Sequence, residues 1–225
     1  MVCLGNWVTL PNGNRVCIQD KGSVIAVALA AVLVTSALAG GGVAATAAVG
    51  GIDSVVGQSI ETRTANGKES ARRGQYDETW KRLRLRSLRQ TLKQINREFQ
   101  CALRSTGQVQ QFFVREPCRS LRRTLIPLAD ASGNTIIVAI AWVRMFNSSS
   151  AIRLDDLIDT DGTGGMDPLA GALLGYNGIQ FTGQHYAVRR SGSLVVIAEA
   201  TPWRGQPSGA VLDSIALVAA EFPPP

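Results

Sequence analysis

Histidine is almost missing from this chain: its 225 residues hold one, His185. A triad built on histidine would depend on that residue, and a Cys/His zinc site would need more. His185 lies beside Tyr186 in an expected strand, and no serine or cysteine can be assigned to it, so it reads as a surface or core-edge residue. Recognisable catalytic motifs are missing as well. There is no Gly-x-Ser-x-Gly elbow, no phosphate loop ending in Gly-Lys-Ser/Thr and no His-Glu-x-x-His. Gly162, Gly164 and Gly165 do not lie between a strand and a helix carrying the lysine a phosphate loop needs. No catalytic residue and no cofactor are therefore expected.

Charge is absent from residues 22–52, a run of 31. About 20 apolar residues suffice to cross the hydrocarbon core as a helix. The stretch from Val24 to Ala39 is the most apolar part, and Gly40, Gly41 and Gly42 follow it. A membrane anchor is the preferred reading. A cleaved signal peptide is the alternative, because Ala37-Leu38-Ala39 is a small-residue cleavage pattern. A third reading, a buried soluble helix, suffers from the difficulty of hiding so long a run in a small domain.

What charge there is lies unevenly. Residues 1–52 carry +1, residues 53–104 carry +6 and residues 105–225 carry −1, which sums to the net +6. The basic segment can meet an anionic lipid surface or a wall polymer. Nucleic acid is not expected, because aromatic residues are sparse among the arginines. The flanks of the uncharged run disagree with a simple orientation. Arg15 and Lys21 precede it, and Arg63, Lys68, Arg72 and Arg73 follow at a distance. Cysteine usage decides between them.

There are four cysteines, Cys3 and Cys17 before the run and Cys101 and Cys118 after it, with no Cys-x-x-Cys spacing. A Cys101–Cys118 bridge would close a loop of about 17 residues and stabilise the fold by roughly 3 kcal/mol in the chain-entropy account. Disulfides form in oxidising compartments. The bridge therefore predicts a single-pass protein of the cell membrane with its C-terminal part extracytoplasmic.

Along the chain, residues 1–21 form a short tail in which Asn12-Gly13 is a hairpin signal. Residues 22–52 are the transmembrane segment, and 53–78 read as a polar stalk, mobile or loosely helical. Residues 79–225 are expected to hold a basic helix and an α+β domain. Leu85, Leu88, Leu92, Ile95, Phe99 and Ala102 step by three and four, an apolar helical seam, with Arg82, Arg84, Arg86, Arg89, Lys93 and Arg97 as its basic surface. The seam would pack on the β domain, with a homo-oligomer through a second copy as the alternative. A short helix is expected over 109–115. Strands follow at 120–129 and 135–144, then a helix at 151–158 capped by Ser149 or Ser150. A hairpin over 184–190 and 193–199 and a helix over 209–222 complete the chain. The expected fold class is α+β: an N-terminal transmembrane helix, a long basic amphipathic helix, then an antiparallel sheet of about four strands in ββα-ββα order with helices packed on one face.

The glycine-rich connection at 159–178 is the best candidate binding loop. Asp159, Asp161, Thr163 and Asp167 fall at positions 1, 3, 5 and 9 of a calcium loop, with Gly164 at position 6. Position 12 is Ala170, where a bidentate glutamate belongs. The missing ligand supplies two oxygens, so an Asp/Gly turn region is preferred and no metal is expected.

Several segments together carry a resemblance: EPCRSLRR at 116–123, NTIIVAIAWVRM at 134–145, DGTGGMDPLAG at 161–171, SGSLVVIAEATP at 191–202 and the closing EFPPP. From Cys101 onward the chain resembles a family of uncharacterised actinobacterial single-pass membrane proteins. The resemblance implies one anchor and an extracytoplasmic domain. It carries no activity and no site residues. The expected role is non-catalytic: binding, envelope interaction or assembly. The alternatives are a cytoplasm-facing basic adaptor and a secreted hydrolase.

Overall fold

A computed structural model describes residues 6–9, 15–18, 59–88, 92–97, 100–168, 175–176 and 178–225. The chain divides into two compact units, residues 1–56 and 57–225. In the first unit, β1 (Asn6–Thr9) pairs antiparallel with β2 (Arg15–Ile18), the pairing predicted from Asn12-Gly13. The expected transmembrane segment at 22–52 lies outside the described residues. Among the described residues no helix is long and apolar enough to cross a membrane.

The second unit is α+β. Its sheet follows from two long hairpins. β5 (Ser120–Asp130) pairs antiparallel with β6 (Thr135–Arg144) across the Asp-Ala-Ser-Gly-Asn turn. There the Asp130 carboxylate accepts the backbone N–H groups of Ser132 and Asn134 at 2.9 Å each, which closes the turn. β7 (Tyr186–Ser191) pairs with β8 (Leu194–Arg204), and β8 runs antiparallel along β6 to join the hairpins. The outer side of β5 is covered by two short strands laid end to end, β3 (Leu85–Ser87) and β4 (Leu92–Arg97). The sheet therefore has five positions in the order β3/β4, β5, β6, β8, β7, all antiparallel.

β6 is apolar on both sides, and the alternation of its side chains assigns each side a core. Ile136, Val138, Ile140 and Trp142 share a cluster with Val196, Ala198 and Ala200 of β8. That side is closed by α1 (Ile60–Arg72), α2 (Tyr76–Arg82) and α6 (Gly209–Ala219), through Ala71, Trp80, Leu212, Ile215 and Val218. Ala141 and Val143 face the other way with Val195. They meet α3 (Gln100–Leu103), α4 (Gly107–Arg115) and α5 (Ser148–Ile158), through Cys101, Val109, Phe113, Ala151 and Leu154. The expectation of helices on one face is thus corrected. α5 and α6 lie on opposite faces because β6 and β8 present apolar side chains in both directions, which one layer of helices cannot bury.

Two further elements refine the sequence reading. Of the two readings of 53–78, mobile stalk or loose helix, the described residues from Ser59 onward form helix. The Ser59 hydroxyl caps α1 by accepting the Thr62 N–H at 3.3 Å. α1 then docks through Gly67, Ser70 and Ala71, all buried. A Cβ on Gly67 would sit 3.1 Å from a Val218 methyl, so α1 rides close on α6. Among the described residues the long basic helix is absent. α2 stops at Arg82, and of the residues read as a helical seam Leu85 enters β3, Leu92 and Ile95 enter β4, and Ala102 lies in α3. Leu83 and Leu85 are buried, while Arg82, Arg84 and Arg86 are exposed, a two-residue alternation that fits a strand edge.

Candidate functional site

The tail of α6 and the start of α2 meet over β6. Trp142 of β6 donates its indole N–H to the Phe222 carbonyl at 2.8 Å. The Phe222 ring stacks flat on Tyr76, with centroids 4.3 Å apart and planes 7° from parallel, and Trp80 tilts against it at 5.4 Å. Beside this aromatic group lies an open cavity of about 260 Å³. Its lining comes from α2 (Tyr76, Asp77, Trp80), β3 (Ser87), β5 (Thr124, Ile126), β6 (Trp142) and Pro225. The Pro225 carbonyl accepts from the Arg122 guanidinium. Burial pushes the Tyr76 hydroxyl above its usual pKa, so it stays a neutral phenol. Asp77 is exposed at this site. Trp80, Trp142 and Phe222 are buried, so solvent reaches the described lining chiefly at Tyr76, Asp77, Ser87 and Pro225.

On the opposite face, Ala139 and Ala141 of β6 leave a dip between Arg123 and Glu199. Its free space is only about 30 Å³, about the share of one water in the liquid. Arg123, 4% exposed, donates to the Asp167 carbonyl at 2.7 Å. Burial lowers its pKa, Arg104 adds to that, and Asp167 opposes it. Burial raises the Glu199 pKa, against the N–H groups of Gly183, at 2.6 Å, and Thr182. Both charged groups pin loops, and the dip is too small for a substrate.

The weak calcium candidates, Asp159, Asp161, Thr163 and Asp167, are held in other roles where their bonds are seen. Asp159 caps the end of α5. The Thr163 hydroxyl donates to the Leu157 and Thr160 carbonyls at 2.7 and 2.8 Å. The Asp167 backbone bonds Arg104 and Arg123. Among the described residues, no group of three or more His, Cys, Asp or Glu side chains could hold a metal ion. The glycines instead permit close backbone contact. The Thr163 carbonyl accepts the N–H groups of Gln108 and Val109 at 2.7 and 3.2 Å, so the loop caps α4. Gly164, at φ +92°, and Gly107, at φ +61°, sit where a Cβ would strike the facing carbonyl oxygen at 2.2 and 2.6 Å.

Acidic groups do gather nearby. Asp155 accepts from Arg190 at 3.2 Å. Burial, with Asp155 and Asp156 close by, pushes the Asp159 carboxyl up to about 6. Burial, with Asp159 and Asp161, pushes Tyr186 up to about 12. His185 pairs with Asp213 at 2.7 Å, and among the described residues no nucleophile is hydrogen-bonded to its ring.

The basic residues do not form a helical stripe. Arg82 ends α2 and pairs with Glu78 at 3.2 Å. Arg84 follows in the left-handed conformation at φ 60°, and Arg86 is on β3. Lys93 and Arg97 hold β4 positions opposite Thr124 and Ser120, and Arg89 lies outside the described residues. The Cys101–Cys118 disulfide is formed, with Cα atoms 6.2 Å apart, tying α3 to the segment entering β5. No protein-family profile, curated protein or solved structure matches the chain. The likeness to actinobacterial membrane proteins rests on the quoted segments alone.

No pattern in the amino-acid sequence marks the cavity as such. Its lining residues are scattered over four elements and Pro225.

Proposed function

We propose that this is a single-pass membrane protein whose second unit is an extracytoplasmic, non-catalytic binding domain of the cell envelope. The observation that carries the reading is the Cys101–Cys118 disulfide, both of whose residues are buried. Such cross-links persist where the surroundings are oxidising. The uncharged run of 31 residues supplies the anchor. Anionic lipid or a wall polymer is the surface partner, met by the exposed Arg84 and Arg86. Those two residues replace the helical stripe as its contacts.

The test uses the full chain with Ser132→Cys, a single exposed thiol in the β5–β6 turn. The protein should stay in the membrane pellet through carbonate extraction. An impermeant maleimide should label position 132 on intact cells. Labelling only after lysis, or release by carbonate, overturns the reading.

A further inference from the structure

β7 is the last strand of the sheet and pairs with β8 on one side. Its register says which backbone groups that pairing uses. Ser191 and Leu194 flank the two-residue turn Gly192-Ser193, so they exchange both of their hydrogen bonds. The pattern then alternates, and Arg189 and Ala187 bond β8 in the same way. One step before the strand, the His185 carbonyl accepts the Ala200 N–H at 2.9 Å, as that alternation requires. The N–H and C=O groups of Tyr186, Val188 and Arg190 therefore point out of the sheet, away from β8. Such a row is a template for one more strand.

The charges that commonly guard an edge are drawn elsewhere. Arg189 donates to the Ala220 carbonyl at 2.8 Å, and the Arg190 Nε donates to Asp155 of α5 at 3.2 Å. The two ends of β7 also differ in charge. Arg190 stands at one end. Tyr186 stands at the other, with Asp159 and Asp161 close enough to act on its hydroxyl. A strand basic at one end and flanked by acids at the other complements its own reverse.

We propose that β7 pairs antiparallel with β7 of a second copy of this chain, across a two-fold axis at Val188, so that the two sheets become one. Tyr186, Val188 and Arg190 then lie opposite the partner's Arg190, Val188 and Tyr186, and every outward position exchanges both bonds. An axis at residue 187 or 189 would leave one of these positions unpaired. The same register brings each Arg190 guanidinium to the partner's Tyr186 ring and its neighbouring acids. A parallel pairing would set like ends together. The contact is isologous and closes at two copies. A second copy is thus met through β7 and not through the seam of residues 85–102. The inference goes beyond the envelope-binding reading and holds on either side of a membrane.

The test follows association of the full-length, disulfide-intact protein in a mild detergent by density-matched sedimentation equilibrium, from about 1 to about 100 μM. The pairing is small beside a standard interface, so the monomer should pass to a dimer within this range and no further. Val188→Pro removes an outward N–H and no bond to β8, where an edge strand tolerates proline, and should stay monomeric throughout. Arg190→Glu, at an exposed position, sets a carboxylate among the partner's acids and should weaken the dimer at least about tenfold. It decides the question even where the proline variant does not fold. Mild oxidation of Val188→Cys should link position 188 to position 188 of the second copy, read by peptide mass spectrometry. A monomer at about 100 μM, assembly beyond a dimer, a dimer that Arg190→Glu or folded Val188→Pro leaves intact, or no link between the two positions 188 overturns the proposal.

Discussion

Arg72 of α1 donates two hydrogen bonds, at 3.0 and 2.9 Å, to the carboxylate of Glu221, which follows α6. Glu221 is 7% exposed, and Arg189 of β7 approaches the same carboxylate at 3.4 Å. One acid thus joins α1, α6 and β7. Glu221→Gln should leave the half-buried Arg189 guanidinium short of its counter-charge. A loss of about 2–3 kcal/mol is expected in urea unfolding, below the usual cost for a fully buried pair because Arg72 is largely exposed. A loss under about 0.5 kcal/mol would show that α1 is not held by this contact.

The glycine loop gives a second test. Gly164→Ala places a methyl group against the Thr106 carbonyl at a φ that disfavours side chains. It should cost about 2–4 kcal/mol, whereas Gly162→Ala, with nothing within 4 Å, should cost about 1. Calcium should not shift the melting temperature of either variant or of the parent. A calcium-dependent rise in the parent would restore the calcium loop.

Arg84 is the single non-glycine residue with positive φ among those described. It occupies the position after the α2 cap, donating its N–H to the Lys81 carbonyl at 2.9 Å. Glycine is the residue that conformation favours. Arg84→Gly should therefore stabilise the domain by about 0.5–1 kcal/mol. If contact with anionic polymer uses this arginine, the more stable variant should bind the polymer less well.

Asp159 predicts a pH dependence. Its folded pKa, about 6, lies above the unfolded value near 3.8. The folded state therefore holds the proton more tightly, and stability falls as pH rises between these values. Asp159→Asn should give no gain at pH 4 and a full gain above pH 7. The residue as a whole is exposed although its carboxyl is crowded, so solvent screening should hold the gain to no more than about 1 kcal/mol. Equal gains at both pH values would assign the effect to something other than titration.

The two long hairpins were legible because each signals itself locally. TIIVAIAWVR is β-branched and apolar, and Ser191-Gly192 marks a turn between apolar runs. α1 was legible only as a loose helix, because it packs through Gly67, Ser70 and Ala71, which leave no large apolar stripe to count. The basic helix was misread for a different reason. Steps of three and four from Leu85 onward matched a helix, yet Arg82-Leu83-Arg84-Leu85-Arg86 also alternates with period two. β5 offered an open edge, and pairing with it decided between the two patterns. The placement of helices on both faces could have been read from β6, since a strand apolar at every position between its two ends needs cover on both sides. The calcium spacing carried little weight because Asp and Gly serve turns and close backbone contacts as well as ions.

The redox state of Cys101 and Cys118 in living cells tests the account most directly. Cells are quenched in acid, free thiols are blocked with one alkylating reagent, and the remaining cysteines are reduced and blocked with a heavier one. Peptide mass spectrometry should then recover positions 101 and 118 almost wholly with the heavy mark. Recovery of both with the light mark would mean that the domain matures in a reducing compartment, and the extracytoplasmic assignment would be wrong.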